Sequence, residues 1–292
     1  MASEAGTPVA PAQRIPLLTV LSLVAFAGNS ILTRLALTRT AIDPGSFTSI
    51  RLIAGALVLL LIVGLRRGTR RPTGSWWSAV ALFVYAAAFS FAYVQLTTGT
   101  GALLLFGAVQ ATMISIGVAR GERLSAAQWS GLLCAYAGLV ALVLPGLSSP
   151  PVLAAAMMLT AGAAWGVYSL RGKGAGDPIA ATAGNFARAV PLTIVLSVLL
   201  RDGRALDANG VGYAIASGAL ASGVGYAIWY TALRSLRATT AATVQLSVPI
   251  IAALAGVLLL AEPLTARLAG AGAAILGGVA LVVLTPRRTQ LE

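Results

Sequence analysis

The sequence predicts an all-α membrane protein of ten transmembrane helices, built as an inverted repeat of five plus five with both termini cytoplasmic. Three observations carry that prediction. Apolar residues make up 58% of the 292-residue chain and charged residues only 10%, with a mean hydropathy of +0.89. No soluble domain buries so much apolar surface, so the solvent of the core must be lipid. Ten stretches are long and apolar enough to cross the hydrocarbon, which takes about 20 helical residues. Finally, Gly121-Glu122-Arg123-Leu124-Ser125-Ala126 returns 140 residues later as Ala261-Glu262-Pro263-Leu264-Thr265-Ala266, and Gly138-Leu139-Val140-Ala141 then aligns with Gly278-Val279-Ala280-Leu281. A repeat must be found before a fold is assigned. With an odd number of spans per copy, the second copy enters the bilayer from the opposite side, a recurrent construction of transporters.

In chain order the predicted helices run over 15–38, 45–65, 76–96, 99–119, 126–145, 151–170, 179–200, 210–231, 238–260 and 266–285. The first five form one half, 15–145, and the last five the other, 151–285. Residues 1–14, with Pro8 and Pro11 and few apolar side chains, read as a disordered cytoplasmic tail rather than a signal peptide, and 286–292 as a second tail. Pro191 and Pro249 fall inside helices, where each removes a backbone donor and produces a kink or a hinge. Gly218 with Ser222, and Gly270 with Ala274 and Gly278, form smooth strips that let backbones approach closely.

A net charge of +12 and a pI near 11.2 would suggest nucleic acid in a soluble chain. Here the basic residues lie mostly in short gaps between apolar runs, as topology determinants do. With a cytoplasmic N-terminus, that side receives thirteen of them: Arg14, Arg66, Arg67, Arg70, Arg71, Arg120, Arg123, Arg171, Lys173, Arg234, Arg237, Arg287 and Arg288. The opposite side receives five, Arg34, Arg39, Arg201, Arg204 and Arg267, which favours both termini inside.

The chain has one cysteine, Cys134, and no histidine. Disulfides, zinc sites and histidine acid–base chemistry are therefore not expected, nor is a metal or other cofactor. Its eight acidic residues lie in the tails, connections and helix junctions, so the membrane interior offers no carboxylate of the kind that cation coupling usually uses. That favours facilitated movement, or coupling through another group. Glu122 and Glu262 read as carboxylates satisfying free backbone donors at the start of the following helix. Arg51 lies two turns into the second helix and is expected to snorkel to the outer interface. Arg188 sits deeper, and is read either as a donor to carbonyls of a neighbouring helix end or as a contact for a substrate carboxylate.

Aromatic residues supply the other candidates. Tyr85, Phe89 and Tyr93 fall at i, i+4 and i+8 on one helix face, Tyr226 and Tyr230 repeat that spacing, and Trp165 and Tyr168 share the sixth helix. Several lie deeper than interfacial anchors do. Asn29, Ser30, Gln110 and Gln245 are the neutral polar groups that could meet them. Together with Arg188 these define the candidate substrate site: Asn29, Ser30, Tyr85, Phe89, Gln110, Trp165, Tyr168, Arg188, Tyr226 and Gln245.

With the repeat, the helix count and the Glu-Arg-Leu-Ser and Glu-Pro-Leu-Thr junctions, the chain resembles EamA-type members of the drug/metabolite transporter superfamily. Gly28-Asn29-Ser30 with Arg34, Pro44 with Arg51, and Tyr230-Thr231-Ala232-Leu233 add to the likeness, which spans residues 15–285. One departure is that Pro44 and Arg51 are seven apart, whereas Pro178 and Arg188 are ten apart. The aromatic pattern is most similar to that of bacterial amino-acid exporters. This implies a basket-shaped, multi-pass inner-membrane protein that exports aromatic and other neutral amino acids by alternating access, without ATP. A carrier of the same fold for nucleotide sugars, organic phosphates or cationic drugs is the alternative. Phosphates would call for buried Lys or Arg in clusters and cations for a buried carboxylate. No catalytic constellation suggests an enzyme. The expected partners are the substrate and the bilayer, with no nucleic acid; the oligomeric state is open, and a monomer is compatible with the sequence.

The orientation is directly testable. In a Cys134→Ala background, a cysteine placed at Thr69 should resist an impermeant thiol reagent added to intact cells and react once the membrane is opened. Labelling from outside would invert the topology.

Overall fold

The computed structural model describes residues 14–66, 71–146, 149–172, 176–200, 203, 205–233, 235–236 and 238–285, with backbone alone for Ala238 and Thr239. Apart from Arg14 the expected tails lie outside the described residues, as do Arg67, Arg70, Lys173, Arg201, Arg204, Arg234, Arg237, Arg287 and Arg288.

Among the described residues, ten helices have membrane-crossing length and hydropathy. They are α1 (Ile15–Arg39), α2 (Pro44–Leu65), α3 (Trp76–Tyr93), α4 (Thr98–Ala119), α5 (Ala126–Val143), α6 (Val152–Gly172), α7 (Pro178–Leu199), α8 (Ala208–Leu233), α9 and α10 (Ala266–Leu284). Helix α9 comes in two pieces, Ala238–Gln245 and Ser247–Leu260, broken just before Pro249, whose missing N–H cannot continue the ladder. Pro191 does not break α7. Within α8, residues Ala216–Val224 wind as a π-helix, an irregularity that the sequence reading did not anticipate.

An α-helix leaves its first N–H groups without an intrahelical partner, and most of the starts here carry a local acceptor. Asp43 takes the Ser46 N–H at 2.8 Å, Asp177 those of Ile179 and Ala180 at 3.1 and 3.2 Å, and Asp207 those of Asn209 and Gly210 at 2.9 and 3.1 Å. Ser125 and Gln128 form a capping box on α5, and Thr265 caps α10 through the Leu268 N–H. The caps also join distant connections. The second oxygen of Asp43 accepts from Ala205 N at 3.0 Å, while that of Asp207 accepts from Ala41 N at 2.9 Å. Burial pushes the Asp43 carboxyl up, but hydrogen bonds from Ser46, Ala205 and Gly45 outweigh it and hold the group below the usual carboxylate range.

The packing repeats with the sequence. Helix α3 lies on α6 as α8 lies on α1, α4 on α6 as α9 on α1, and α3 on α7 as α8 on α2, while α2–α7, α4–α9 and α5–α10 pair across the two halves. The α5–α10 pair is a small-residue seam: a Cβ on Gly131 would stand 2.6 Å from the Gly278 carbonyl, and one on Gly278 would collide with that of Gly131. Ala274 faces Gly138, but nothing lies within 4 Å of a Cβ on Gly270, so the expected strip is shorter by one member.

The two glutamate junctions share a backbone device. Gly121 and Ala261 both adopt positive φ, 94° and 55°, and turn the chain so that the next residue's N–H returns to the helix just ended: Glu122 to Gly117 O at 3.0 Å, Glu262 to Gly256 O at 3.1 Å. Each carboxylate then lies on a glycine; a Cβ would stand 2.8 Å from Glu122 at Gly117 and 2.6 Å from Glu262 at Gly256. Glu262 does satisfy a free donor, but that of α4 in the other half, through Thr98 N at 2.7 Å, and not of its own following helix. Its other oxygen meets Arg34 Nε at 3.0 Å, and Arg34 continues to the carbonyls of Tyr93 and Val94. The start of α10 is served instead by Thr265, which accepts the Leu268 N–H at 3.1 Å.

Two outcomes follow from this packing. Gly278→Ala should destabilise the purified protein by about 1–3 kcal/mol through overpacking, whereas Gly270→Ala should leave thermal unfolding in mild detergent unchanged or gain roughly 0.5–1 kcal/mol. Glu262→Gln should cost about 1–3 kcal/mol from a weakened charged hydrogen-bond pair. Its transport should keep the wild-type response to an imposed pH gradient; loss of that response in a stable variant would make Glu262 a coupling group.

Candidate functional site

The i, i+4, i+8 face of α3 is buried: Tyr85 is 5% exposed, Phe89 1% and Tyr93 0%. Phe89 meets Tyr85 at 5.5 Å and Tyr93 at 4.7 Å between ring centroids. From the other half, Trp165 of α6 stands 4.8 Å from Tyr85 and stacks on Tyr168 at 5.1 Å and on Tyr226 of α8 at 5.3 Å. Tyr226 reaches Phe26 of α1 at 5.7 Å and Phe186 of α7 at 6.1 Å. Rings from five helices and both halves therefore form one continuous cluster, each contact contributing about 0.5–1.5 kcal/mol beyond area. In this conformation the rings meet across the halves as tilted pairs, Tyr85 with Trp165 at 46° and Phe26 with Tyr226 at 57°, with Trp165 half-buried at the centre.

Polar groups meet the hydroxyls of this cluster. Asn29 Nδ2 donates to the Tyr85 hydroxyl at 3.4 Å, and Ser217 of the π segment donates to Asn29 Oδ1 at 2.6 Å. Asn185 Nδ2 donates to the Tyr168 hydroxyl at 3.4 Å, while its Oδ1 accepts the Ser75 N–H at 2.9 Å. Ser30 is buried and turned to the Tyr93 hydroxyl at the edge of the cluster.

The two arginines exchange their expected positions. Arg51 does not snorkel: it is 2% exposed and the largest fully buried side chain. Its Nη2 donates to the Tyr85 hydroxyl at 3.0 Å, and its guanidinium carbon lies 5.3 Å from the Tyr85 centroid and 5.0 Å from that of Phe89. Cation–π contacts of this kind are worth about 2 kcal/mol when desolvated. The reason is the fit of α8 on α2, where Gly218 sits on the Arg51 carbonyl with no room for a Cβ and turns that stretch of α2 into interior. Arg188 is half-buried and donates through Nη1 to the carbonyls of Thr73 and Gly184 at 2.6 and 2.9 Å, tying the α2–α3 connection to α7 outside the aromatic cluster. The first of its two sequence readings, a donor to carbonyls, describes this geometry.

Of the ten candidates, Asn29, Tyr85, Phe89, Trp165, Tyr168 and Tyr226 come together, and Ser30 borders them. Gln110 is buried on α4 and Gln245 half-buried at the α9 break, with no hydrogen bond among the described residues tying either to the cluster. Sequence reasoning missed Arg51, Asn185, Ser217, Phe26 and Phe186. A signal for two of them was present. Arg51 lies seven residues after Pro44 and Asn185 seven after Pro178, each proline following a capping aspartate, and each side chain donates to a tyrosine hydroxyl. By that register the counterpart of Arg51 is Asn185, which accounts for the unequal arginine spacing.

Comparisons with known proteins agree with this architecture. The sequence profile of the EamA-like transporter family matches residues 152–284, the five helices α6 to α10. A Pseudomonas aeruginosa protein, described as uncharacterized protein PA1977, is 56% identical over 278 residues, covering 95% of this chain and 96% of its own. An uncharacterized transporter of Archaeoglobus fulgidus is 25% identical over 252 residues, covering 82% of this chain and 86% of its own. A solved crystal structure shares the fold with a TM-score of 0.66 at 20% identity, over 96% of this chain and 100% of that one. With ten membrane-length helices, a matched family profile and relatives along its length, the chain belongs to the EamA-like transporter family of the drug/metabolite transporter superfamily.

Proposed function

We propose that this transporter exports aromatic and other neutral amino acids from the cytoplasm by alternating access, its halves 15–145 and 151–285 inserted in opposite senses in a bacterial inner membrane with both termini inside. One observation carries the reading: aromatic rings of the first half, Tyr85 and Phe89, interlock with Trp165, Tyr168 and Tyr226 of the second, fringed by neutral amides and hydroxyls. Rings at such an interface stack on an apolar or aromatic solute side chain when they part, and the amides and hydroxyls pair with its polar groups. The recurrence of neighbour pairs between the halves supports the inverted arrangement, since five spans per half is an odd number. The relatives described as transporters support transport itself.

Proteoliposomes loaded with labelled amino acids test the reading. Trp165→Ala should fold and insert, yet change the relative apparent affinities for phenylalanine, leucine and alanine by about two- to twelve-fold, the equivalent of one lost ring contact. Unchanged affinities in both Trp165→Ala and Tyr85→Ala would remove the cluster from the transport path.

A further inference from the structure

We propose that Arg51 is the substrate's carboxylate-binding group, and that the site selects aromatic or apolar monocarboxylates whether or not they carry an amino group. This rests on the reading of the aromatic cluster as the transport site.

The argument begins with an unbalanced charge. A guanidinium stays protonated in any protein environment, so Arg51 carries a full positive charge at 2% exposure. Its Nη1 is closed off from solvent and has no hydrogen-bond partner. Neither ion pair among the described residues includes it; these join Arg34 to Glu262 and Arg66 to Asp177. The other described acids are placed elsewhere: Asp43 and Asp207 cap helices, and Glu122 lies on Gly117. The Tyr85 hydroxyl and the faces of Tyr85 and Phe89 offset only part of the cost of burying this ion. A buried charge with no counter-ion among the described residues points to a functional role in a membrane protein.

The geometry then selects the ligand. A guanidinium edge with free N–H groups matches a carboxylate, and the walls beside it are rings that match an apolar or aromatic body. A dianionic phosphate would call for a second free cation. Arg34 is engaged with Glu262 and two carbonyls, and Arg188 with the carbonyls of Thr73 and Gly184. For an ammonium group the cluster offers only neutral acceptors, and Asn29 Oδ1 is already taken by Ser217. The carboxylate is therefore the recognised group and the amine dispensable.

The test uses full-length protein in nanodiscs, with binding followed by isothermal titration against 3-phenylpropionate, L-phenylalanine and phenethylamine. Both carboxylates should bind, and phenethylamine should bind at least about tenfold more weakly. Arg51→Gln should weaken 3-phenylpropionate by about 10- to 100-fold, as expected for loss of a charge-assisted pair. Its unliganded melting temperature should equal or exceed that of the wild type, which removal of a merely structural arginine would not produce. Should Arg51→Gln fail to fold, Arg51→Lys carries the comparison, with reduced affinity but the same preference for carboxylate over amine. Equal binding of 3-phenylpropionate by wild type and variant, or binding of phenethylamine as tight as that of 3-phenylpropionate, overturns the proposal. Phenylalanine bound equally with and without Arg51 would sink this proposal and leave the amino-acid reading standing. Arg51-dependent binding of 3-phenylpropionate with none of phenylalanine would uphold Arg51 as the carboxylate-binding group, overturn the stated indifference to the amino group and sink that reading, and binding of neither carboxylate would overturn both.

Discussion

An α-helix leaves backbone N–H and C=O groups unpaired at its two ends, and many of the charged side chains in the structure are spent on them. Helical stretches satisfy themselves; helix ends do not. Asp43, Asp177, Asp207 and Glu262 accept from N–H groups at the starts of α2, α7, α8 and α4, while Arg34 and Arg267 donate to carbonyls at the ends of α3 and α5. Gln128 does the same for the end of α10 through the carbonyls of Val282 and Thr285. Several of these groups act between distant segments, so completing a helix end also docks one part of the bundle on another. Stability and architecture therefore come from the same bonds, and few charges remain for the interior.

Against that background the arginines of α2 and α7 differ in kind. Arg188 is engaged like the rest, on carbonyls at a connection. Arg51 has a hydroxyl, two ring faces and an idle nitrogen. Depth along a helix does not separate them; rotation about it does, because the face that turns inward meets the π segment of α8. That segment contributes twice, Gly218 admitting the α2 backbone and Ser217 orienting Asn29. Such single π-helical stretches inside α-helices are often found at functional sites.

The aromatic cluster gives the halves a shared surface that polar caps alone would not. Ring contacts are individually small and broadly tolerant of geometry. These contacts have no fixed donor or acceptor, whereas the Arg34–Glu262 and Arg66–Asp177 pairs join the halves by directed bonds.

The ten spans, their approximate limits and the ring-bearing face of α3 were legible in the sequence, because lipid demands long apolar helices and because side chains at i, i+4 and i+8 must share a face whatever surrounds them. The junction repeat was legible for a similar reason, since a left-handed residue followed by glutamate is a local backbone device. What the tertiary structure alone decided is which way each helix turns. These helices are apolar nearly all round, so no amphipathic stripe announces the inward face. Hence Arg51 became interior and Arg188 did not, Glu262 served α4 instead of α10, Gly270 dropped out of its strip, and Gln110 and Gln245 stood apart from the cluster. Each depends on a neighbour brought close from a distant part of the chain, at a distance that spacing along a single helix does not encode.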